Sequence, residues 1–309
     1  MEQNPLDILK SRSLYELMER ALLLKLKHRG LKMGLCTISN ARSGACTEDC
    51  AFCAQSRFAR AKAPVYPLKS PQILLKEAET AKKTGASRFS IVTSGRGPSE
   101  RLVQEVAERV YEIREKVGIR VCCSLGIMSK SKIKILKDAG LTRYHHNLEA
   151  SEEFYPSICS THRFADRVET IRAVKECGLE ICSGGIIGLG EDEHHRFSMA
   201  KALAELGVDS IPINILVPIK GTRLQDVAPL PLGQILRTIA MFRIMVPYCA
   251  LRIAGGRESA LGQMQALAFM AGADAMLIGG YLTTRGRPPE MDLALTEEIK
   301  RLWQEMYHR

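Results

Sequence analysis

Cys46-Thr47-Glu48-Asp49-Cys50-Ala51-Phe52-Cys53 sets three thiols within eight residues, in a C-x3-C-x2-C spacing. Thiolates this close together can cap one face of an iron–sulfur cluster and leave a fourth iron without a protein ligand. Tetrahedral zinc takes four ligands, usually in two separated pairs. Here the nearest histidine, His28, lies upstream, and no His or Cys closely follows the triplet. A disulfide fits less well, because neighbouring thiols in a chain with no secretory leader read as metal ligands or redox groups. Ferredoxin-type runs carry a fourth cysteine nearby or in a second matching run, and the sequence has no such second run.

With Phe52 just before its last cysteine, the triplet resembles the signature of the radical S-adenosylmethionine (SAM) superfamily. In that superfamily the open iron chelates the amino and carboxylate groups of the methionyl moiety. One-electron reduction then cleaves a C–S bond to give a 5′-deoxyadenosyl radical. The resemblance implies a [4Fe–4S] cluster on Cys46, Cys50 and Cys53, with SAM as cofactor.

The chain has 309 residues, 46% of them hydrophobic, enough for one large α/β domain or two small ones. No Pro/Gly/Ser linker divides it, so a single domain over 1–309 is expected: a core of about 34–285, an N-terminal helical extension at 1–33 and a tail at 286–309. A net charge of +10 and a pI near 9.1 fit nucleic acid or anionic small molecules. The 44 basic residues are scattered and aromatics reach only 6%, so no base-stacking platform stands out. Ten cysteines suggest a reducing compartment. With neither an apolar leader nor a span-length apolar run, the expectation is cytoplasmic, with no membrane and no nucleic-acid partner.

From about residue 70 the sequence repeats amphipathic helix, glycine, short apolar strand. Leu102, Val103, Val106, Val110, Ile113 and Val117 mark one helical face, and Gly118 follows as a residue able to turn left-handed. Gly85, Gly140, Gly178, Gly207 and Gly272 recur in the same role. Strands are expected near 34–40, 88–94, 119–125, 142–148, 179–186, 209–217, 249–254 and 274–279. Eight strands alternating with helices predict a (βα)8 TIM-type barrel, with a doubly wound open sheet as the alternative. Leu14 to Leu23 predicts an N-terminal helix, and 292–307 a C-terminal one after Pro288-Pro289.

A barrel of this kind usually fills its lumen with Val, Ile and Leu. Here seven of eight strands carry polar or ligating residues: Cys36, Ser90, Cys122 and Ser124, Asn147, Cys182, Asn214 and Arg252. Burying them without partners would cost several kcal/mol, so the lumen is expected to hold polar ligands. Cys123 points to the opposite face of its strand. Cys159, Cys177 and Cys249 read as packing residues, and no histidine is nominated as a base.

The segments Tyr144 to Glu149, Ile181 to Glu191, Ser210 to Leu216, Lys220 to Thr222 and Leu251 to Glu258 are similar, in order and spacing, to signatures of the biotin synthase family. The similarity runs over about 34–285. It implies a sulfurtransferase that inserts sulfur into dethiobiotin, consuming SAM, with flavodoxin or ferredoxin as electron donor and a homodimeric assembly. By position, Phe52 would lie near adenine and Thr93, Ser94 and Gly95 would receive the SAM amino group. Asn147 and Glu149 would bind the ribose, Glu149 standing where the family is expected to carry aspartate. Arg167 would pair with the SAM carboxylate through its fixed fork of donors. Asn214 would contact dethiobiotin, and Arg42 at the barrel mouth would compensate its carboxylate.

The family also carries an auxiliary iron–sulfur cluster, the sulfur donor, held by three cysteines and an arginine. Cys122, Cys182 and Arg252 match three of these positions, whereas Ser90 stands in place of a cysteine. Cys36 is the candidate for the missing thiolate, so the resemblance leads us to expect an auxiliary cluster, [2Fe–2S] or larger, on Cys36, Cys122 and Cys182, with Arg252 beside it. The competing readings are another radical SAM enzyme on the same barrel, such as a cofactor maturase or a mutase, an iron–sulfur electron carrier, and a nucleic-acid modifying enzyme.

Overall fold

The computed structural model describes residues 11–282 and 286–307. The first ten residues of the expected N-terminal extension and the 285 boundary of the expected core lie outside the described residues.

Every expected strand forms. In chain order they are β1 (Gly34–Arg42), β2 (Arg88–Thr93), β3 (Arg120–Ser124), β4 (Arg143–His145), β5 (Glu180–Cys182), β6 (Gly185–Ile187), β7 (Ser210–Ile215), β8 (Ala250–Ile253) and β9 (Ala275–Leu277). All pair in parallel in the order β5-β4-β3-β2-β1-β9-β8-β7-β6, and the sheet closes where Cys182 on β5 pairs with Ser210 on β7. The open-sheet alternative is thereby excluded. β5 and β6 are two halves of one wall strand, so the barrel has eight strands, but the single run expected at 179–186 is interrupted. The interruption has a local cause. Pro212 on β7 has no N–H to give the ladder, and Gly184 lies so close to the Pro212 carbonyl that a Cβ there would overlap it.

Helices cover the outside: α1 (Leu14–Arg29), α2 (Pro71–Lys83), α3 (Glu100–Val117), α4 (Lys130–Asp138), α5 (Tyr155–Ile158), α6 (Phe164–Glu176), α7 (Glu193–Glu205), α8 (Leu232–Met245), α9 (Arg257–Leu261), α10 (Gln265–Met270) and α11 (Pro289–Tyr307). Serine caps start several of them. Ser99, for one, accepts from the Leu102 N–H at the head of α3, satisfying a donor that the first turn leaves free. Gly118 ends α3 at φ +67, as its sequence position requires. Val103, Val106, Val110 and Ile113 of α3 are buried in one apolar cluster with Phe89, Ile91, Val121 and Cys123, the outward residues of β2 and β3. Among the described residues no helix is long and apolar enough to cross a membrane.

Asp274, just before β9, ties α1 to β8 and α8. Its carboxylate accepts from Arg29 Nε of α1 at 2.6 Å and from the Leu251 N–H of β8 at 2.7 Å, and pairs with Arg243 Nη2 of α8 at 3.2 Å. Arg243 is fully buried and also donates to the carbonyls of Gly272, Pro247 and Cys249. Removing one partner of a buried ion pair strands the other. Asp274→Ala is therefore expected to lower stability by about 3–5 kcal/mol, read as a reduced urea midpoint.

Candidate active site

Parallel pairing decides which side chains share the lumen. The eight residues expected to face inward, Cys36, Ser90, Cys122, Ser124, Asn147, Cys182, Asn214 and Arg252, all line one cavity of about 370 Å³. Cys123 points outward and is fully buried against the helices. The same alternation brings in three side chains that the sequence reading passed over: Arg88 on β2, and Arg143 and His145 on β4. The signal was available, since Arg88 precedes Ser90 by two residues and Arg143, His145 and Asn147 follow at intervals of two.

The floor of the cavity carries an excess of positive charge. Glu180 Oε2 accepts from Arg88 at 2.9 Å and pairs with Arg143 at 2.7 Å. Arg252 stands above with no carboxylate, its Nη1 3.4 Å from Cys182 Sγ and its buried Nε without a partner. Burial works against the Arg252 charge, but Cys36, Cys182 and Cys122 outweigh it and hold the guanidinium charged. All three thiols therefore lie within its electrostatic reach. Burial also opposes a thiolate at Cys182, yet His145, Arg252 and Arg143 outweigh it and hold this thiol well below its ordinary range. Cys122 is pushed up, by burial first and then by Cys182. Ser90 pairs in register with Cys122 and hydrogen-bonds its sulfur.

At the mouth, the Cys46–Cys53 stretch forms a loop after β1. Its turns are closed by backbone bonds from Cys46 N to Gln55 O (3.1 Å) and from Cys53 N to Cys50 O (3.0 Å). Phe52 and Cys53 line the cavity from above. Burial raises Cys53, with Cys46 adding to the effect, and Cys50 in turn feels Cys53. The three thiols lie on this one loop, and all ten cysteines are free.

Beside the loop, Glu149 adopts φ +71, a left-handed backbone unusual for a side chain with a Cβ. Backbone bonds from Glu149 N to Gly184 O and from Ile186 N to Glu149 O hold it there. This turns its carboxylate toward Asn147 Nδ2 at 3.2 Å and Arg167 Nη1 at 3.9 Å. Asn147 Oδ1 accepts from Gly184 N, so the strand break itself orients the amide. Arg167 on α6 is buried and donates to Tyr155 Oη (2.6 Å) and Asn147 O (2.9 Å). It stands behind Asn147 and Glu149 and does not itself line the cavity. Thr93 ends β2 with a buried, unpartnered hydroxyl, and Ser94 Oγ donates to Gly44 O at 2.8 Å, tying this strand end to the cysteine loop.

Two assigned roles fit less directly. Arg42 is exposed at the end of β1 and is not a lining residue. Asn214 lines the cavity, but its amide is engaged on both sides, donating to Gly185 O (3.2 Å) and accepting from Gly255 N (2.9 Å).

Comparison with known proteins gives the same picture. Residues 41–203 match the radical SAM superfamily model, and residues 212–300 match that of the biotin and thiamin synthesis associated domain. The biotin synthase of Pelotomaculum thermopropionicum is 50% identical over 287 residues, covering 93% of this chain and 89% of that protein. That of Thermotoga neapolitana is 46% identical over 275 residues, covering 89% and 98%. The chain belongs to the biotin synthase family. Among solved structures, methylornithine synthase superposes with a TM-score of 0.83 at 19% identity, over 95% of this chain and 91% of that one. The FeFe-hydrogenase maturase of Carboxydothermus hydrogenoformans gives 0.80 at 17%, over 94% and 72%. At such identities these two likenesses concern the fold alone.

As a biotin synthase family member, the chain is an enzyme whose family implies a [4Fe–4S] cluster and SAM. Its residues fit both. Three free thiols meet in the mouth loop, and Thr93 Oγ1 is a buried polar atom left for a ligand. The geometry of the mouth also depends on Gly184. Gly184→Ala would drive a methyl into the Pro212 carbonyl and displace the Asn147 amide. We expect about 1–3 kcal/mol of lost stability together with weaker SAM binding, measured by thermal unfolding and equilibrium dialysis.

Proposed function

We propose that this chain forms biotin by radical SAM-dependent insertion of sulfur into dethiobiotin. The observation that carries the reading is the two-ended cavity, with Phe52 and Cys53 at its mouth and Cys36, Cys122, Cys182 and Arg252 on its walls below. Its volume of about 370 Å³ falls within the roughly 300–1,000 Å³ typical of small-molecule sites. When bound, the cluster and SAM supply a carbon-centred radical, and an auxiliary cluster supplies sulfide.

The chain's own residues bind, orient and shield. Cys46, Cys50 and Cys53 hold the first cluster, and Phe52 flanks the adenine. Thr93, Ser94 and Gly95 offer acceptors to the amino group, and Asn147 and Glu149 bond the ribose hydroxyls. Arg167 fixes Glu149 and Asn147 from behind and lends positive charge toward the SAM carboxylate. The dethiobiotin carbons to be attacked carry no acidic C–H, which removes any need for a side-chain base. What they require is fixed separation from the radical source and exclusion of water. Ile38, Ile186 and Ile215 supply apolar wall to the cavity. Asn214 acts mainly as a brace between β6 and the turn after β8, and Arg42 meets the substrate carboxylate at the rim.

Cys36, Cys122 and Cys182, with Arg252, form the auxiliary ligand set. Charge supports this. Arg88 and Arg143 share one carboxylate, Glu180, and Arg252 has none, an excess of two positive charges that thiolates and a sulfide-bearing cluster would offset. Arg252, which lines the same cavity, has a buried Nε without a partner, which would otherwise cost about 1–3 kcal/mol. In this set Ser90 serves as a hydrogen-bond donor to Cys122. The reading carries with it flavodoxin or ferredoxin as electron donor, a homodimer and a cytoplasmic location.

The test uses anaerobically reconstituted protein beside a variant with Cys46, Cys50 and Cys53 all changed to Ala, with iron and sulfide assays, Mössbauer spectra and turnover with dethiobiotin and SAM. A second cluster should survive in the triple variant and be consumed as biotin forms in the intact protein. SAM cleavage without biotin would overturn the reading. Separately, Cys36→Ala should lower auxiliary iron and sulfide while leaving the SAM-responsive cluster in place, and unchanged content would remove Cys36 from the ligand set.

A further inference from the structure

The segment that follows the cysteine loop folds back onto it. Cys46 and Ser56 form a parallel bridge, Arg57 N donates to Cys46 O at 2.9 Å, and Ser56 Oγ donates to Glu48 O at 2.6 Å. Phe58 N and Ala59 N then turn back on Ser56, at 3.1 Å each. A second segment lies alongside. Arg60 N donates to Gly221 O at 2.7 Å, and Gly221, at φ +90, comes so close to the Arg60 and Ala61 backbone that a Cβ there would overlap it. Residues 57–62 and 220–223 therefore make one surface, fixed by backbone contacts to the loop beneath.

That surface is cationic. Arg57, Arg60, Lys62, Lys220 and Arg223 are all exposed, and the two segments contain no acidic residue. Among the described residues Arg223 alone of the five forms an ion pair, with Asp49 at 3.9 Å, and Asp49 already accepts from Ser160 and Thr161. The surface also presents an aromatic ring. Phe58 is 58% exposed, with the Arg57 guanidinium 5.0 Å from its centre. It lines a hollow of about 300 Å³ that Cys50, Ala59 and Arg223 share. A single exposed aromatic means little. An aromatic flanked by arginines and set over a hollow has the make-up of a binding patch.

We propose that residues 57–62 and 220–223 form the docking surface for an acidic, flavin-bearing electron carrier protein. This rests on the assignment of Cys46, Cys50 and Cys53 as cluster ligands. The lumen cavity of about 370 Å³ is too small to admit a protein, so a protein donor has to reach a cluster on this loop from outside the barrel. Electron transfer weakens steeply with distance, and this surface is built directly on the loop. Its charge selects an acidic partner, since complementary potentials speed encounter and like charges suppress it. The planar, apolar edge of a flavin matches Phe58 and the hollow beside it, where one ring can stack on another. The step moves one electron and no proton. An anionic reduced flavin is oxidised by one electron and the cluster is reduced by one, with no bond made or broken.

The experiment measures binding of a flavodoxin to the reconstituted, cluster-loaded protein by calorimetry at low and high salt, with stopped-flow reduction of the cluster by reduced flavodoxin alongside. Affinity should fall as salt rises. A variant carrying Arg57→Glu, Arg60→Glu and Lys62→Glu should bind on the order of tenfold more weakly and lose most of the salt dependence. Phe58→Ala should weaken binding and keep the salt dependence. Both variants should match the unaltered protein in iron content and in reduction by dithionite, a small reductant that needs no docking surface. Unchanged affinity in the charge-reversed variant overturns the inference, and so does slowed reduction by flavodoxin that dithionite shows equally. If flavodoxin does not bind while a ferredoxin or a single-stranded oligonucleotide does, and the charge reversal releases it, the surface belongs to that partner and the inference fails. Flavodoxin binding indifferent to these charges, in protein whose paramagnetic signal shifts on adding SAM, fails the docking inference alone. Absence of that signal from the reconstituted protein fails the loop assignment beneath it.

Discussion

A closed parallel barrel sends every second residue of each strand into one enclosed lumen, and what one strand places there the others must answer. In this chain the answer is electrostatic. Arg88 and Arg143 enter from two strands and meet a single carboxylate, that of Glu180, at the floor, while Arg252 enters from a third strand with none. Cys36, Cys122 and Cys182 occupy the level above, where Arg252 feels all three. Apolar packing of the kind that fills an ordinary barrel would leave two guanidinium charges unbalanced in a buried space. Taking such charges out of water is affordable only with good partners. The thiols therefore help to balance the charge that this lumen buries.

The mouth obeys a different constraint. Its ligand-facing groups sit on irregular backbone, and that backbone is held by the break in the fifth wall strand. Pro212 withdraws one ladder donor, Gly184 moves in against its carbonyl, and the freed Gly184 N–H goes to Asn147 Oδ1. The same region supplies the contacts that keep Glu149 at positive φ. A strained residue persists where its surroundings over-determine it, and here those surroundings include both halves of the broken strand. A fault in the sheet thus orients two of the side chains that face SAM in the proposed function.

Much of this was legible in the sequence, for identifiable reasons. Helix-terminating glycines and apolar strands occur at regular intervals, so the barrel and all eight wall strands could be placed, with boundaries off by a few residues. Period-two alternation likewise put Cys36, Ser90, Cys122 and Cys182 on one face and Cys123 on the other. The floor arginines escaped notice because a charged residue at the first position of a strand reads as the solvated end of a loop. Only the closed sheet reveals that Arg88 and Arg143 converge on Glu180. Cys159 escaped for a different reason. Its partner Cys50 lies 109 positions earlier, and no local pattern encodes a contact between a loop after β1 and the end of a four-residue helix.

The cysteine loop has two faces. Cys53 and Phe52 look inward to the cavity, where burial raises the Cys53 thiol. Cys50 looks outward to Cys159 and the Asp49, Ser160 and Thr161 contacts, close to exposed Arg223. The Glu48–His162–Tyr155–Arg167 chain crosses from one side to the other without entering the cavity. That separation is what a radical reaction needs, because its intermediates are lost wherever solvent or reductant can reach them.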